Sequence, residues 1–203
     1  MKTLLDFFLH LDVHLATLVQ DFGWASYAIL FAVLFCETGL VFMPFLPGDS
    51  LLFVAGTLAG QGMLQVWTLW AALVLASIVG DSVNYWVGTR FGLRLEQSKS
   101  VPQKYLQKTH AFYEKYGKKT LIIARFIPIV RTFAPFVAGM GRMDYRTFLT
   151  YNIVGGVSWV SFFIFTGYFF GQITWVQQHL ETVILGIVVL SLIPPVVEFA
   201  KRR

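Results

Sequence analysis

Residues 120–141 read TLIIARFIPIVRTFAPFVAGMG. The stretch is apolar enough for a bilayer, yet it carries Arg125, Pro128, Arg131 and Pro135. Proline removes a backbone donor and clashes with the preceding turn, so one smooth helix is excluded. Broken backbone at membrane depth is tolerated only where protein buries it or where it lines a watery cavity. The stretch therefore reads as a re-entrant hairpin, entering and leaving on one side, with Gly139 in its second arm. A similar apolar run, 23–60, holds Pro44, Pro47, Gly48 and Asp49 in its middle and predicts a first hairpin over about 24–60. Within it, residues 24–42 fit either half a hairpin or a full crossing.

Around these two stretches lie runs of the roughly 20 apolar residues that a crossing requires. They are 66–92, 145–171 and 173–200, the last loosened by Pro194 and Pro195. Hydrophobic residues make up 56% of the chain and charged ones 13%. That is about half the charged share of a soluble domain, too little polar surface to cover a globule in water. The expected fold class is an all-α integral membrane protein with about three full transmembrane helices, two re-entrant hairpins and amphipathic interfacial helices. The start, Met1 to Asp6, has one basic residue and no cleavage site, so it does not read as a secretory signal. The single Cys36 excludes an internal disulfide and a cysteine-based metal site.

Basic residues set the expected orientation. Lys2 alone precedes Arg90; eight follow between Arg90 and Lys119, then Arg142 and Arg146, then Lys201 to Arg203. A nucleic-acid footprint is the weaker explanation, because cytoplasmic loops of membrane proteins carry this excess. The basic stretch 94–119 and the C-terminus are thus expected in the cytoplasm of a bacterial inner-membrane protein, and the turns near Gln61 and Gln172 outside.

An internal repeat is legible. Phe53-Val54-Ala55-Gly56 recurs as Phe136-Val137-Ala138-Gly139, and Gly88 and Gly92 recur as Gly167 and Gly171. One membrane domain, 1–203, would contain repeat 1 (1–93) and repeat 2 (94–171). The second has an amphipathic segment at about 101–117, and a C-terminal crossing and basic tail fill 172–203. Hairpins entering from opposite sides would make the repeats inverted, a transporter architecture with its site at the midplane. Aligning Gly23 with Gly117 sets Glu37 opposite Arg131, each followed by threonine.

Glu37, Asp49, Asp81, Arg125 and Arg131 sit in apolar surroundings. Each would cost about 2.5 to 3.5 kcal/mol alone at a helix centre, so such residues pair, face a cavity and mark function. As structural ion pairs they would merely brace the hairpins. Gly80, Asp81, Asn84, Tyr85 and Gly88 share one helix face, which serves equally as packing glue or as a site.

Three runs carry a resemblance. They are Glu37-Thr38-Gly39 through Pro44-Phe45-Leu46-Pro47-Gly48-Asp49-Ser50; Gly80-Asp81 with Asn84-Tyr85 and Gly88; and Arg125-Phe126-Ile127-Pro128-Ile129-Val130-Arg131-Thr132, continuing to Pro135 and Gly139. In order and combination they resemble the signatures of the DedA family, also called VTT-domain or SNARE-associated proteins. The resemblance implies paired re-entrant hairpins and lipid translocation, of undecaprenyl phosphate or of phospholipids, often dependent on the proton motive force. It marks Glu37 and Asp49 as essential acids and Arg125 and Arg131 as essential arginines.

Physical reasoning meets that implication. Arginine binds phosphate bidentately and keeps its proton, whereas a carboxylate can be neutralised. The expected roles are substrate binding by Arg125, Arg131, Asn84 and Tyr85, and proton coupling by Glu37, Asp49 and Asp81. No cofactor, metal or nucleic acid is expected; the partners are an anionic lipid head and protons, with the oligomeric state open. A proton-coupled exchanger of small ions or drugs is the alternative, using the same carboxylates with less need for two arginines. A lipid-phosphate phosphatase would need a basic, serine and histidine array, and His10, His14, His110 and His179 are scattered. No enzyme is therefore expected. In a Cys36→Ser background, Lys108→Cys and Lys201→Cys should react with a membrane-impermeant maleimide only from the cytoplasm, and Gln61→Cys only from outside. Labelling of position 108 from outside would overturn this topology.

Overall fold

The computed structural model describes residues 11–39, 48–97, 120–179, 182–183 and 186. Pro44, Pro47, the segment 101–117 and most of the crossing expected at 173–200 lie outside them. The described residues are helical, with no strand among them. In order they form α1 (Leu11–Phe22), a 3-10 turn (Gly23–Ala25), α2 (Ser26–Gly39), α3 (Gly48–Gly60), α4 (Val66–Gln97), α5 (Thr120–Ala124), α6 (Pro128–Met140), α7 (Tyr145–Phe170) and α8 (Thr174–Gln178).

Three stretches are long and apolar enough to cross a membrane: Val13–Gly39, Val66–Phe91 and Tyr145–Phe170. The last two match the expected crossings within a residue or so. The first differs from expectation, because the 3-10 turn joins α1 to α2 and makes 27 residues of one apolar run. At about 1.5 Å per residue this exceeds a hydrocarbon core of about 30 Å. The first arm of the expected hairpin at 24–60 is thus continuous with the helix before it, and α3 is a separate short helix of 13 residues.

Backbone chemistry sets the boundaries. Between α5 and α6 the Arg125, Phe126 and Ile127 amides donate to the carbonyls three residues back, a tightened turn. Pro128 then opens α6, where a missing N–H costs nothing. Helices α3 and α6 end in one way. Met63 N–H donates to Leu58 O and Gly62 N–H to Ala59 O; Met143 N–H donates to Ala138 O and Arg142 N–H to Gly139 O. Gly62 and Arg142 both have positive φ, 81° and 51°. This is the Schellman cap, with a glycine at one copy and an arginine at the other. Asp144 then starts α7, its Oδ2 accepting the Thr147 N–H at 2.9 Å, which holds the carboxyl below its usual range.

The chain divides into two compact units. One comprises 1–33, 45–75 and 158–203; in it α3 is buried almost throughout and lies against the C-terminal half of α7. A Cβ on Gly167 would collide with the Phe53 carbonyl, and one on Gly56 with the Ile164 carbonyl. The other unit comprises 34–44 and 76–157, and in it α6 lies against α4. A Cβ on Gly88 would collide with the Phe136 carbonyl, and one on Gly139 with the Tyr85 carbonyl. Ile164 and Tyr85 each stand three residues before the glycine of their long helix. The duplicated motif therefore makes the same small-residue contact twice, the close backbone approach that membrane helices use. Around it the second unit packs Leu121, Ala124, Ala134, Ala138 and Phe148, with Tyr85 stacked on Phe148 at 4.4 Å.

Neither carbonyl can yield without moving a helix, so Gly56→Ala and Gly139→Ala should each destabilise by about 1–3 kcal/mol. Thermal unfolding in detergent reads this as a lowered midpoint, similar for the two. An unchanged midpoint for either would remove the contact from the determinants of the fold.

Candidate functional site

The end of α2 brings Glu37, Thr38 and Gly39 against α4, where Gly80 makes the approach possible: a Cβ there would collide with the Thr38 hydroxyl. Glu37 and Arg131, each about 95% buried or more, form an ion pair, with Nη2 of Arg131 2.6 Å from Oε1 of Glu37. The sequence alignment had set these two residues opposite each other. Asn84, fully buried, ties the end of α2 to α6. Its Nδ2 donates to Thr38 O at 3.2 Å and to Thr132 O at 2.8 Å, the residues that follow Glu37 and Arg131.

Arg125 forms the second pair. Its Nη2 donates to Asp81 Oδ2 and to Asn152 Oδ1, and all three residues are buried. Asn152 in turn donates to Ile78 O at 3.0 Å and reaches Ser82 Oγ at 3.4 Å. Gly155 and Gly156 of α7 leave room for this side chain. A Cβ at Gly155 would lie 2.9 Å from Cδ of Arg125, and one at Gly156 would lie 3.5 Å from Nη1. Charge-assisted bonds to a planar fork suit guanidinium at depth, where an unpaired cation would be prohibitive. Nη1 of Arg125 and Oδ1 of Asn84 are buried and make no hydrogen bond among the described residues.

Tyr85 donates its hydroxyl to Met143 O and stacks in the core. Asp49 belongs to the other unit, at the start of α3, where its Oδ1 accepts the Nε1–H of Trp159 at 2.9 Å. Trp159 is fully buried. Ser50 Oγ beside it is buried and makes no hydrogen bond among the described residues. Of the hairpin residues, Pro135 lies inside α6 and is buried, and Gly48 opens α3. Among the described residues no group of three His, Cys, Asp or Glu side chains could hold a metal.

Four of the five expected charges thus share one unit as two pairs, Glu37 with Arg131 and Asp81 with Arg125. Sequence reasoning missed Asn152, the Gly155-Gly156 pair and Trp159. A lone asparagine facing inward in an apolar helix was the available signal for Asn152. Nothing in the sequence separates Trp159 from the other tryptophans.

The VTT domain model matches residues 46–169. Protein DedA of Escherichia coli (strain K12) is 56% identical over 205 residues, covering 98% of this chain and 94% of that protein. A membrane protein of Mycobacterium leprae (strain TN) is 41% identical over 179 residues, covering 87% and 80%. Inner membrane protein YghB of E. coli (strain K12) is 33% identical over 193 residues, covering 92% and 84%. No solved structure is significantly similar. Together with three apolar helices of crossing length, these relatives make this a membrane-embedded chain.

Removing one partner of a buried pair leaves the other charge under-compensated, so Glu37→Leu or Arg131→Met alone should destabilise by about 3–5 kcal/mol. The double variant Glu37→Leu with Arg131→Met should recover most of that loss, because an apolar pair of similar volume is near neutral. Additive losses in a double-mutant cycle of unfolding midpoints would show that the two side chains act independently.

Proposed function

Because the chain belongs to the VTT-domain (DedA) family, we propose that it moves a lipid with an anionic phosphate head across the bacterial inner membrane, coupled to protons. One observation carries the proposal: two arginines are buried in the protein interior and neutralised by carboxylates, Arg131 by Glu37 and Arg125 by Asp81. A polyprenyl phosphate or phospholipid keeps its tail in lipid, so only the head needs a polar route. Guanidinium offers that head two parallel hydrogen bonds and cannot discard its charge.

The cycle is an exchange of partners. With the acids ionised, they occupy the arginines and the site is closed. Protonation from outside neutralises Glu37 and Asp81 and frees the guanidinium groups, and the phosphate takes the place of the carboxylates. Nη1 of Arg125, which makes no hydrogen bond among the described residues, is the nitrogen that donates to the head. Asn84 keeps the backbones after Glu37 and Arg131 in register while partners change, and its Oδ1 can accept a protonated phosphate oxygen. Asp49, held by Trp159, is a further proton-coupling acid. Tyr85 stands next to Asn84 on α4, buried with its hydroxyl on Met143 O, and in this reading supports Asn84 rather than meeting the head directly. Release of lipid and protons inside gives proton-coupled import of the carrier. In this scheme the hairpins are re-entrant and the repeats inverted, the basic stretch 94–119 and the C-terminus are cytoplasmic, and the protein catalyses no covalent chemistry. The duplicated glycine contact supports the repeat, and the buried pairs support a site at its midplane.

The test is movement of labelled undecaprenyl phosphate, and separately of phosphatidylglycerol, in vesicles containing the purified protein. Transport should accelerate as the outer pH falls, because protonation frees the arginines. Arg131→Lys should fold yet lose at least about tenfold in rate, since an ammonium cannot bind bidentately. Glu37→Gln, which imitates the protonated acid, should still bind lipid and lose the pH dependence. Full transport by a folded Arg131→Lys protein would remove the phosphate role and favour the exchanger of small ions.

A further inference from the structure

One exposed face of α4 forms a groove of about 420 Å³ that the charge network leaves unused. Val79, Val83 and Val87 line it with Trp86 and Arg90, on one face at helical spacing. Tyr145 closes it from the start of α7, meeting Trp86 edge-on at 6.1 Å and 80°. The three valines are about two-fifths exposed and Trp86 is 60% exposed, so among the described residues no element of its own unit covers the face.

Its dimensions point to what covers it. The crossing Val66–Phe91 has its midpoint between Ile78 and Val79. From Val79 to Arg90 the helix rises about 16 Å, which is half of a hydrocarbon core of about 30 Å. The groove therefore runs from mid-membrane to one surface, the depth of a single leaflet. Along it the chemistry changes in a fixed order: branched aliphatics, then Trp86 and Tyr145 at the level aromatics prefer, then the Arg90 guanidinium. That order is tail, ester region and phosphate. Arg94 and Arg146, both exposed, add positive charge at the same end. A second copy in the same orientation would set Arg90 against like charge, and a soluble anion would have no use for the aliphatic floor.

We propose that this groove is a binding site for an anionic phospholipid of the leaflet on the Arg90 side, with an acyl chain on Val79, Val83 and Val87 and the phosphate on Arg90. The site does not depend on the transport function proposed above. It does adjoin that machinery, because Ser82 in the groove receives Asn152, the partner of Arg125.

The full-length protein reconstituted in phosphatidylcholine vesicles tests this, with brominated-chain lipid as a quencher of tryptophan emission. The Trp86 contribution is taken by difference against Trp86→Phe. Brominated phosphatidylglycerol should half-saturate the Trp86 quenching at a mole fraction about fivefold lower than brominated phosphatidylcholine, the effect of one basic residue near an anionic surface. Arg90→Gln should abolish that preference, while Arg146→Gln should retain it. Three results would each overturn the proposal. Equal quenching by both lipids would leave only a lipid-facing helix. No quenching of Trp86 by either would mean that another protein surface, a second copy included, covers the groove. Loss of preference in Arg146→Gln as large as in Arg90→Gln would make the attraction diffuse surface charge.

Discussion

A guanidinium group buried in a protein interior must have a partner, and much of the unit that holds Arg125 and Arg131 is arranged to supply one. Two arginines come from the broken α5–α6 segment, and two acids come from α2 and α4. To let the acids reach, α2 must touch α4, which requires Gly80 where the Thr38 side chain comes in. To let Arg125 lie flat beside α7, Gly155 and Gly156 must lack side chains. Asn84 spends both amide hydrogens on the backbones beside Glu37 and Arg131. The prolines belong to the same account, since an unbroken helix could not turn both Arg125 and Arg131 inward over six residues.

The two units solve different problems with one packing motif. In each, a Phe-Val-Ala-Gly helix presses its glycine against a long helix, and the long helix returns the contact with a glycine of its own. Chemistry diverges around that shared contact. One unit collects two cation–carboxylate pairs, whereas the other holds an acid, Asp49, against the neutral donor of Trp159.

The sequence made the class of fold and the buried charges legible because the membrane penalises exceptions. Charges and prolines inside apolar runs are rare, so Glu37, Asp49, Asp81, Arg125 and Arg131 stand out with no structure at hand. The repeat aligns Glu37 with Arg131 as equivalent positions, and the structure brings these two side chains together. What stayed hidden depends on rotation about helix axes. Asp81 looked equally suited to packing, and only the orientation of α4 turns it to Arg125. Asn152, Gly155 and Gly156 are ordinary residues in an apolar helix until Arg125 lies across them. The continuity of α1 with α2 was likewise hidden, because Gly23 reads as a break and the structure bridges it with a single 3-10 turn.

The contact between α3 and α7 has a consequence for how the chain is made. Thr57 reaches the Gly167 carbonyl, and Asp49 reaches Trp159, each across 110 residues of sequence. At about 5–20 residues per second, translation needs roughly 5–20 seconds to cover that distance. For that interval a short helix bearing an acid sits in the insertion pathway with its final partner not yet synthesised. Through that interval α3 lacks the helix that buries it in the finished fold. The polypeptide reaches its mature packing only when α7 has left the ribosome and closes over a segment made long before.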